Sequence, residues 1–374
     1  MKKMLMTASV PSMIGQFNMN NISILLDLGY EVHVGTNFKD CSYWPKERIK
    51  DFIKELKGSG VKYHQIDYSR SPKDIRAIVC SFMQVDRLLR KEKFEFVHCH
   101  TPMAGVVSRI CCHRNGVKVI YTAHGFHFYD GAPLQNWLVY YPIEKMLSRW
   151  TDILITINKE DYKRAKEKFH AKRMEYIPGV GIDTEKFKPR ESSRDKIRSE
   201  LGLSNKQTML LSVGELNENK NHETVIRAIK GMDLTYVIVG KGKLKEKLVT
   251  ISKECGVDLR LMGFRNDVAD FYDAADIYIL PSIREGLNVS LMEAMASCLA
   301  CCVGDIRGNR DLVDEKGGVL FNPQNMQSMR KAVEKIIKGD RGKMGSYNLK
   351  KIRKFEKNKV EIALSNIYQG KACI

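Results

Sequence analysis

Short apolar runs of strand length recur along almost the whole chain, each separated from the next by a segment long enough for a helix. In the first half the runs read KMLMTASV, YEVHVGT, VKYHQID, FEFVHCH, KVIYTAH, DILITIN and RMEYIPG. In the second half they read TMLLSVG, LTYVIVG, VDLRLMG, DIYILPS, CLACCVG and GGVLFNP. Parallel neighbours in a sheet need a crossover of helical length between them, so this rhythm predicts parallel α/β sheets covered by helices. Helices are expected over residues 17–28, 75–91 and 134–150.

A chain of 374 residues exceeds the size at which one core keeps growing, so two domains are expected. The rhythm stops once, after Pro178, in the polar segment GVGIDTEKFKPRESSRDKIRSELGLSNK. The domains are therefore placed at 1–185 and 186–352, with 353–374 a helical segment packing back on the first.

The opening MKKMLMTASVPS has too brief an apolar stretch and no small-residue cleavage site, and reads as a buried first strand. The least polar later segment, 286–304, carries Glu293 in its middle, which is costly in lipid, so no membrane span is expected. Ten cysteines spread through apolar runs suit buried thiols of a reducing, cytoplasmic compartment. The adjacent pairs Cys111–Cys112 and Cys301–Cys302 lack zinc-knuckle spacing, and no metal is expected.

A formal net charge of +18 points to an anionic partner. Two basic stretches with interleaved apolar residues, 44–52 and 87–93, could rest on anionic headgroups at the inner face of a membrane or be merely solvated. No helix-turn-helix, zinc finger or aromatic RNA-binding strand is present, which argues against nucleic acid.

Ligands of doubly wound sheets bind at the carboxyl ends of the strands, so the loops after strands are where chemistry is expected. In PSIREGLNVSLMEAMA, Glu285 falls in such a loop and Glu293 in the first turns of the following helix, both directed to one cleft. Gly286 precedes the helix start, whose amides can take a phosphate or a sugar hydroxyl; a Ser290–Glu293 capping pair is the alternative. Gly214 closes the run TMLLSVG, and Lys220 follows it at a helix start, able to neutralise a diphosphate or simply exposed. Gly240 and Gly242 in VGKGKLKEKL allow a ligand close approach or form a plain turn. Gly15 falls between the first strand and a helix, where a phosphate could reach backbone amides, but the loop is not a GxGxxG fingerprint. His124, with Gly125 after it, can donate to a sugar oxygen, take a proton, or be a structural loop histidine. His98 and His100 flank Cys99; they are read as lying on alternating faces, His98 in the core and His100 lining the cleft.

The seven residues between Glu285 and Glu293, inside PSxxEGLxxxxMEAMA, resemble the signature of the retaining glycosyltransferases of family 4, which have the GT-B fold and include many polysaccharide and lipopolysaccharide transferases. The similarity spans essentially the whole chain. It implies an α/β, GT-B architecture of two Rossmann-like domains facing each other across a cleft. It further implies that Glu285 and the backbone of Gly286, Leu287 and Asn288 hold the donor sugar, Glu293 the ribose, and Lys220 with helix amides near Val289 the diphosphate. Gly214 and Gly240 would border the donor, and backbone groups of Phe264 and Arg265 would lie beside the base. His124 becomes the cleft histidine, catalytic with Lys220 and Glu285. Gly15 would let a donor or acceptor phosphate approach as a partial match to the family loop, Gln16 would line the acceptor side, and His127, Phe128 and Tyr129 would shape the acceptor pocket.

Three positions depart from the family pattern: Asn288 stands where proline is common, Glu215 where arginine is usual, and Gly15 is one glycine where a pair is frequent. The Glu215 variant resembles a subgroup of exopolysaccharide and capsule transferases. The resemblance implies metal-independent transfer with retention, no cofactor beyond a UDP-linked hexose or N-acetylhexosamine donor, no covalent nucleophile in Glu285 or Glu293, and a polyprenyl-diphosphate-linked saccharide acceptor. A nucleotide-sugar epimerase of the same architecture is the alternative; it would need an acid/base set and no acceptor pocket.

Overall fold

Each of the thirteen apolar runs forms a strand in the structure, a computed structural model that describes residues 1–371. The chain divides into two compact units, Met1–Val180 together with the segment from Val360 onward, and Gly181–Lys359. The sequence reading set these breaks at 185 and 352.

In the first unit, β1 (Lys3–Thr7), β2 (Glu31–Thr36), β3 (Lys62–Gln65), β4 (Phe96–His100), β5 (Lys118–Ala123), β6 (Ile153–Thr156) and β7 (Arg173–Tyr176) form one sheet in the order β3-β2-β1-β4-β5-β6-β7. All its pairings are parallel. In the second, β8 (Thr208–Val213), β9 (Leu234–Val239), β10 (Asp258–Gly263), β11 (Ile277–Leu280), β12 (Ala300–Gly304) and β13 (Gly318–Phe321) pair in parallel in the order β10-β9-β8-β11-β12-β13. Central strands such as β4, β9 and β12 are buried throughout, which is why they read as unbroken apolar runs. Edge strands β3 and β7, KYHQ and RMEY, are polar and partly exposed, which discourages a further strand from pairing. Strand order reverses beside β1 in the first unit and beside β8 in the second, so loops after β1 and β4, and after β8 and β11, diverge to leave a crevice within each unit.

Several local expectations need correction. The helix expected over 17–28 is two, Pro11–Phe17 and Met19–Asp27, broken at Asn18, whose side chain donates to the Met13 carbonyl at 2.8 Å. Gly15 therefore lies inside a helix rather than before one. A Cβ there would run into the buried Trp44 ring, which gives this glycine a packing reason. The terminal helix is also interrupted: Arg353–Phe355 is a 3₁₀ turn, Glu356 is extended and bridges to Ile182, and Lys357–Tyr368 is the helix. Its Val360, Leu364, Ile367 and Tyr368 join the first unit's core beside Met4, Val32 and Phe96.

The basic stretch 44–52 turns its apolar side inward, with Trp44, Ile49 and Phe52 buried. Exposed apolar residues lie elsewhere in the first unit. Ile75, Val79 and Met83 recur every four residues on the Ile75–Glu92 helix, and Leu134, Leu138 and Met146 lie on the Leu134–Ser148 helix. Among the described residues no helix is long and apolar enough to cross a membrane. The nine described cysteines are free thiols, of which Cys99, Cys111, Cys112, Cys301 and Cys302 are buried. Glu31, His33 and Glu92 bring three potential metal-ligand atoms together, but Lys62 and Lys3 already bond the two carboxylates at 2.7 and 2.8 Å.

Candidate functional site

At the second unit's switch point the loops after β8 and β11 hold each other through their backbones. The Ile283 amide donates to the Asn219 carbonyl at 2.9 Å, and the Asn219 side chain donates to the Arg284 carbonyl at 3.0 Å. Asn217 caps the 3₁₀ turn Glu218–Lys220 by accepting from the Lys220 amide, and Asn221, in the left-handed region, ties the turn to the carbonyls of Pro281 and Pro323. These contacts fix the Lys220 side chain. Its Nζ meets Glu285 Oε1 at 2.7 Å, with both side chains mostly buried. The lysine stem crosses Gly214, where a Cβ would stand 3.1 Å from Lys220 Cε, so the missing side chain makes room for the cation. Three residues singled out from the sequence thus come together. The carboxylate neutralises the cation.

The helix Val289–Ala296 begins beside this pair. Asn288 caps it, its side chain accepting from the Leu291 amide at 3.0 Å, and a proline at that position could not do so. The Ser290–Glu293 capping pair does not form. Ser290 Oγ lies instead 2.7 Å from both Asn288 Oδ1 and Tyr278 Oη. The amides of Val289 and Ser290, in the first helical turn, have no acceptor within the helix and carry the positive end of its dipole. Glu293, half-buried one turn on, accepts from Tyr272 Oη at Oε2 at 2.8 Å. Burial raises its carboxyl above the usual range, with the Tyr272 bond and Lys186 acting in the opposite sense.

Two contributors went unnoticed in the sequence. Buried Arg307 donates from Nε to the Glu285 carbonyl at 3.3 Å, and Gly308, with φ of +75°, lies so close that a Cβ would strike the Gly286 carbonyl. Their signal was available: GDIRGNRDL follows β12, the neighbour of β11, in the loop position where ligands are expected.

Other sequence candidates have structural explanations. A Cβ on Gly240 would strike the Gly214 carbonyl and one on Gly242 the Leu216 backbone, so these glycines let two loops touch. The Arg265 side chain is committed to Glu200 and Asp267, at 2.9 and 2.7 Å, leaving its backbone as the group able to meet a ligand; Phe264 next to it is exposed.

In the first unit, the loops after β1, β2, β3, β4 and β5 and the helix Leu134–Ser148 line a cavity of about 510 Å³. Gln16, Met103, His127 and Tyr140 are in its wall, the rings of the last two tilted against each other with centroids 4.6 Å apart. Its one charged lining residue is Arg70, unnoticed in the sequence, whose guanidinium sits 4.7 Å over the Tyr43 ring and donates to Tyr43 Oη at 2.7 Å. No carboxylate among the described residues pairs with Arg70, so this cavity favours an anion. Phe128 does not line it: that ring is buried among Phe126, Trp137, Tyr141 and Phe169, and Tyr129 also lies outside the wall.

His124 follows β5 in the wall of a second, small cavity shared with Asn21, His100, Thr122, Gly179 and Glu361. His98 and His100 are not on alternating faces. A strand repeats every two residues, so both project the same way, their rings 4.2 Å apart, and both are buried. His98 bonds Tyr368 Oη at 2.9 Å and Thr122 Oγ1 at 2.8 Å, while His100 Nδ1 lies 3.0 Å from His124 Nε2. Burial lowers all three, His98 to about 3, His124 to about 4, and His100 well below its usual value, so the cluster is neutral at pH 7.

Two doubly wound units, one carrying a lysine, two carboxylates and a helix start at its switch point, are the parts of the GT-B architecture. Comparison with known proteins identifies the family. Residues 22–186 match the model of glycosyltransferase family 4, and residues 193–358 that of the group 1 glycosyl transferases. EpsD of Bacillus subtilis, provisionally named a glycosyltransferase, is 31% identical over 99% of this chain and 97% of its own. An Escherichia coli UDP-Gal:α-D-GlcNAc-diphosphoundecaprenol α-1,3-galactosyltransferase is 31% identical over 71% of this chain and 70% of its own. Among solved structures, a sucrose-phosphate synthase from Thermosynechococcus elongatus superposes with a TM-score of 0.79 at 15% identity, covering 99% of each chain. The chain belongs to the group 1 and family 4 glycosyltransferases.

Proposed function

We propose that this enzyme transfers a hexose or N-acetylhexosamine, with retention and without a metal, from a UDP-sugar to a polyprenyl-diphosphate-linked saccharide in cell-surface polysaccharide biosynthesis. The observation that carries the reading is the Lys220–Glu285 pair, 2.7 Å apart beside the start of the Val289–Ala296 helix. The donor's diphosphate takes Lys220 and the amides of Val289 and Ser290. Glu285, released, turns with the amides of Gly286, Leu287 and Asn288 to the sugar hydroxyls. Glu293 binds the ribose, and backbone groups at Phe264 and Arg265, with Gly240 and Gly214 behind the phosphates, border the nucleotide. His124 meets the reacting sugar.

As the anomeric C–O bond to phosphate breaks, negative charge grows on the leaving diphosphate, where Lys220 and the helix start are already placed. The acceptor hydroxyl attacks on the same face. Its proton passes to the departing diphosphate, and the new glycosidic bond keeps the anomeric configuration. Neither carboxylate forms a covalent bond. The named chemistry of the Escherichia coli relative, a UDP-sugar and a diphospholipid acceptor, supports this choice of substrates. An epimerase would leave the 510 Å³ cavity and Arg70 without a use; transfer gives both to the acceptor and its phosphate.

Calorimetry with UDP, GDP and ADP sugars tests the donor. One UDP-sugar is expected to saturate the protein, and Glu293→Gln weakens it by about tenfold through loss of a charged hydrogen bond. Unchanged affinity in that variant removes the ribose assignment, and preference for another base removes UDP.

The proposed location is the cytoplasmic face of the membrane, touched by the exposed Ile75–Val79–Met83 and Leu134–Leu138–Met146 faces, near exposed Lys73 and Arg76. Vesicles containing phosphatidylglycerol should sediment the protein at low salt and release it at high salt, and Leu134→Ser/Leu138→Ser should weaken the binding several-fold. Equal binding to neutral vesicles, or an unchanged double variant, overturns this contact.

A further inference from the structure

We infer that His100 is a positioning residue that sets the tautomer of His124, so that His124 offers its ligand an Nδ1–H donor and does not act as a base. His100 ends β4 with its ring closed off from solvent; Nδ1 is 3.0 Å from His124 Nε2, and Nε2 is buried without a hydrogen-bond partner. Two neutral imidazoles can share that one bond in two ways. If His124 donates from Nε2, the His100 proton must sit on Nε2, where nothing accepts it. If His100 donates from Nδ1, the buried Nε2 keeps only a lone pair, and no N–H is orphaned. A buried N–H without an acceptor is the rarer defect in folded proteins, so the second arrangement prevails.

The consequence falls on His124. With Nε2 accepting, the proton of the neutral ring is on Nδ1, for which no partner occurs among the described residues and which is not among the buried unpaired atoms of the fold. This nitrogen therefore opens on the small cavity, whose volume of about 30 Å³ admits a water or a single ligand hydroxyl. The bond of His98 to Tyr368 on the terminal helix braces the stack from behind, at 2.9 Å. A donor fixed in this way suits the oxygen of a sugar hydroxyl; the choice of ligand rests on the transferase reading above, whereas the tautomer does not.

The test uses the full-length protein with ¹⁵N-labelled histidine, the His124 signals being assigned by their loss in His124→Gln. Two-bond ¹⁵N–¹H correlation at pH 7 is expected to show His124 as the Nδ1–H tautomer; an Nε2–H or doubly protonated ring overturns the inference. His100→Asn, whose Nδ2 can stand where Nδ1 stood, should keep that tautomer and a kcat within about threefold of the parent, while His100→Leu should mix the tautomers and lower kcat by about tenfold with donor Kd unchanged. Asn and Leu variants that match in both spectrum and kcat also overturn it. If no sugar nucleotide binds the parent protein, the transferase reading fails, and the spectrum alone still decides the tautomer.

Discussion

Replacing Lys220 by alanine is expected to cut turnover by about 10²–10³-fold, the usual loss when one preorganised group facing developing charge is removed. The fold should survive, because the turn around residue 220 is held by its backbone and by Asn217, Asn219 and Asn221 rather than by the lysine side chain. The remaining cost is a mostly buried Glu285 left without its cation. Melting temperature and single-turnover rate, measured on the same preparation, separate the two effects. A variant that melts earlier but turns over normally per folded molecule would mean that Lys220 serves only the loop. Lys220→Ala/Glu285→Gln should recover the lost stability without recovering the rate.

Acid should unfold the protein well above the pH at which ordinary carboxylates titrate. His98 and His124 in the first unit and His222 in the second have values lowered to about 3, 4 and 3 by burial. The unfolded chain takes up protons on these rings near pH 6.5, whereas the native fold resists until the lowered values are reached. Their contribution is therefore complete above about pH 6.5 and is lost progressively as the pH falls toward 3, at roughly 1.4 kcal/mol per pH unit for each ring. Glu31, held down to about 2 by Lys62 and His33, adds a loss of the same sign below its usual value. Glu293 and Asp273, raised by burial, act in the opposite direction but are two groups against several. Urea midpoints by circular dichroism at pH 8, 6 and 5 should fall steeply between the last two, and a midpoint constant from pH 7 to 5 would contradict neutral buried histidines.

The strands were legible because a central parallel strand is apolar on both faces, a pattern visible without tertiary information. Lys220 and Glu285 were singled out because each lies in a loop just after a strand, inside a segment that resembles the family pattern, and the structure brings their side chains together. Glycines were much less informative. Gly15 makes room for Trp44 and Gly240 for the Gly214 backbone, contacts between segments far apart in sequence that no local pattern encodes. Phe128 was misread because proximity to His124 in sequence does not tell which way an aromatic ring turns in a loop. The faces of His98 and His100 could have been read correctly from the period of two alone. Arg70 and Arg307 were missed because an arginine acquires meaning from what it stacks on or bonds to, here Tyr43 and the Glu285 carbonyl.

On the proposed reading, the Lys220–Glu285 ion pair has a bearing on how a catalytic cycle ends. If Glu285 holds the sugar hydroxyls as proposed, it loses them when the sugar leaves, and a mostly buried carboxylate without a partner is costly. Glu285 then competes with the spent nucleotide for Lys220, so the protein carries its own displacing anion. On the proposed reading, product inhibition is weak, abundant phosphates that bring no sugar are poor occupants, and the same carboxylate that selects the donor also clears its remains.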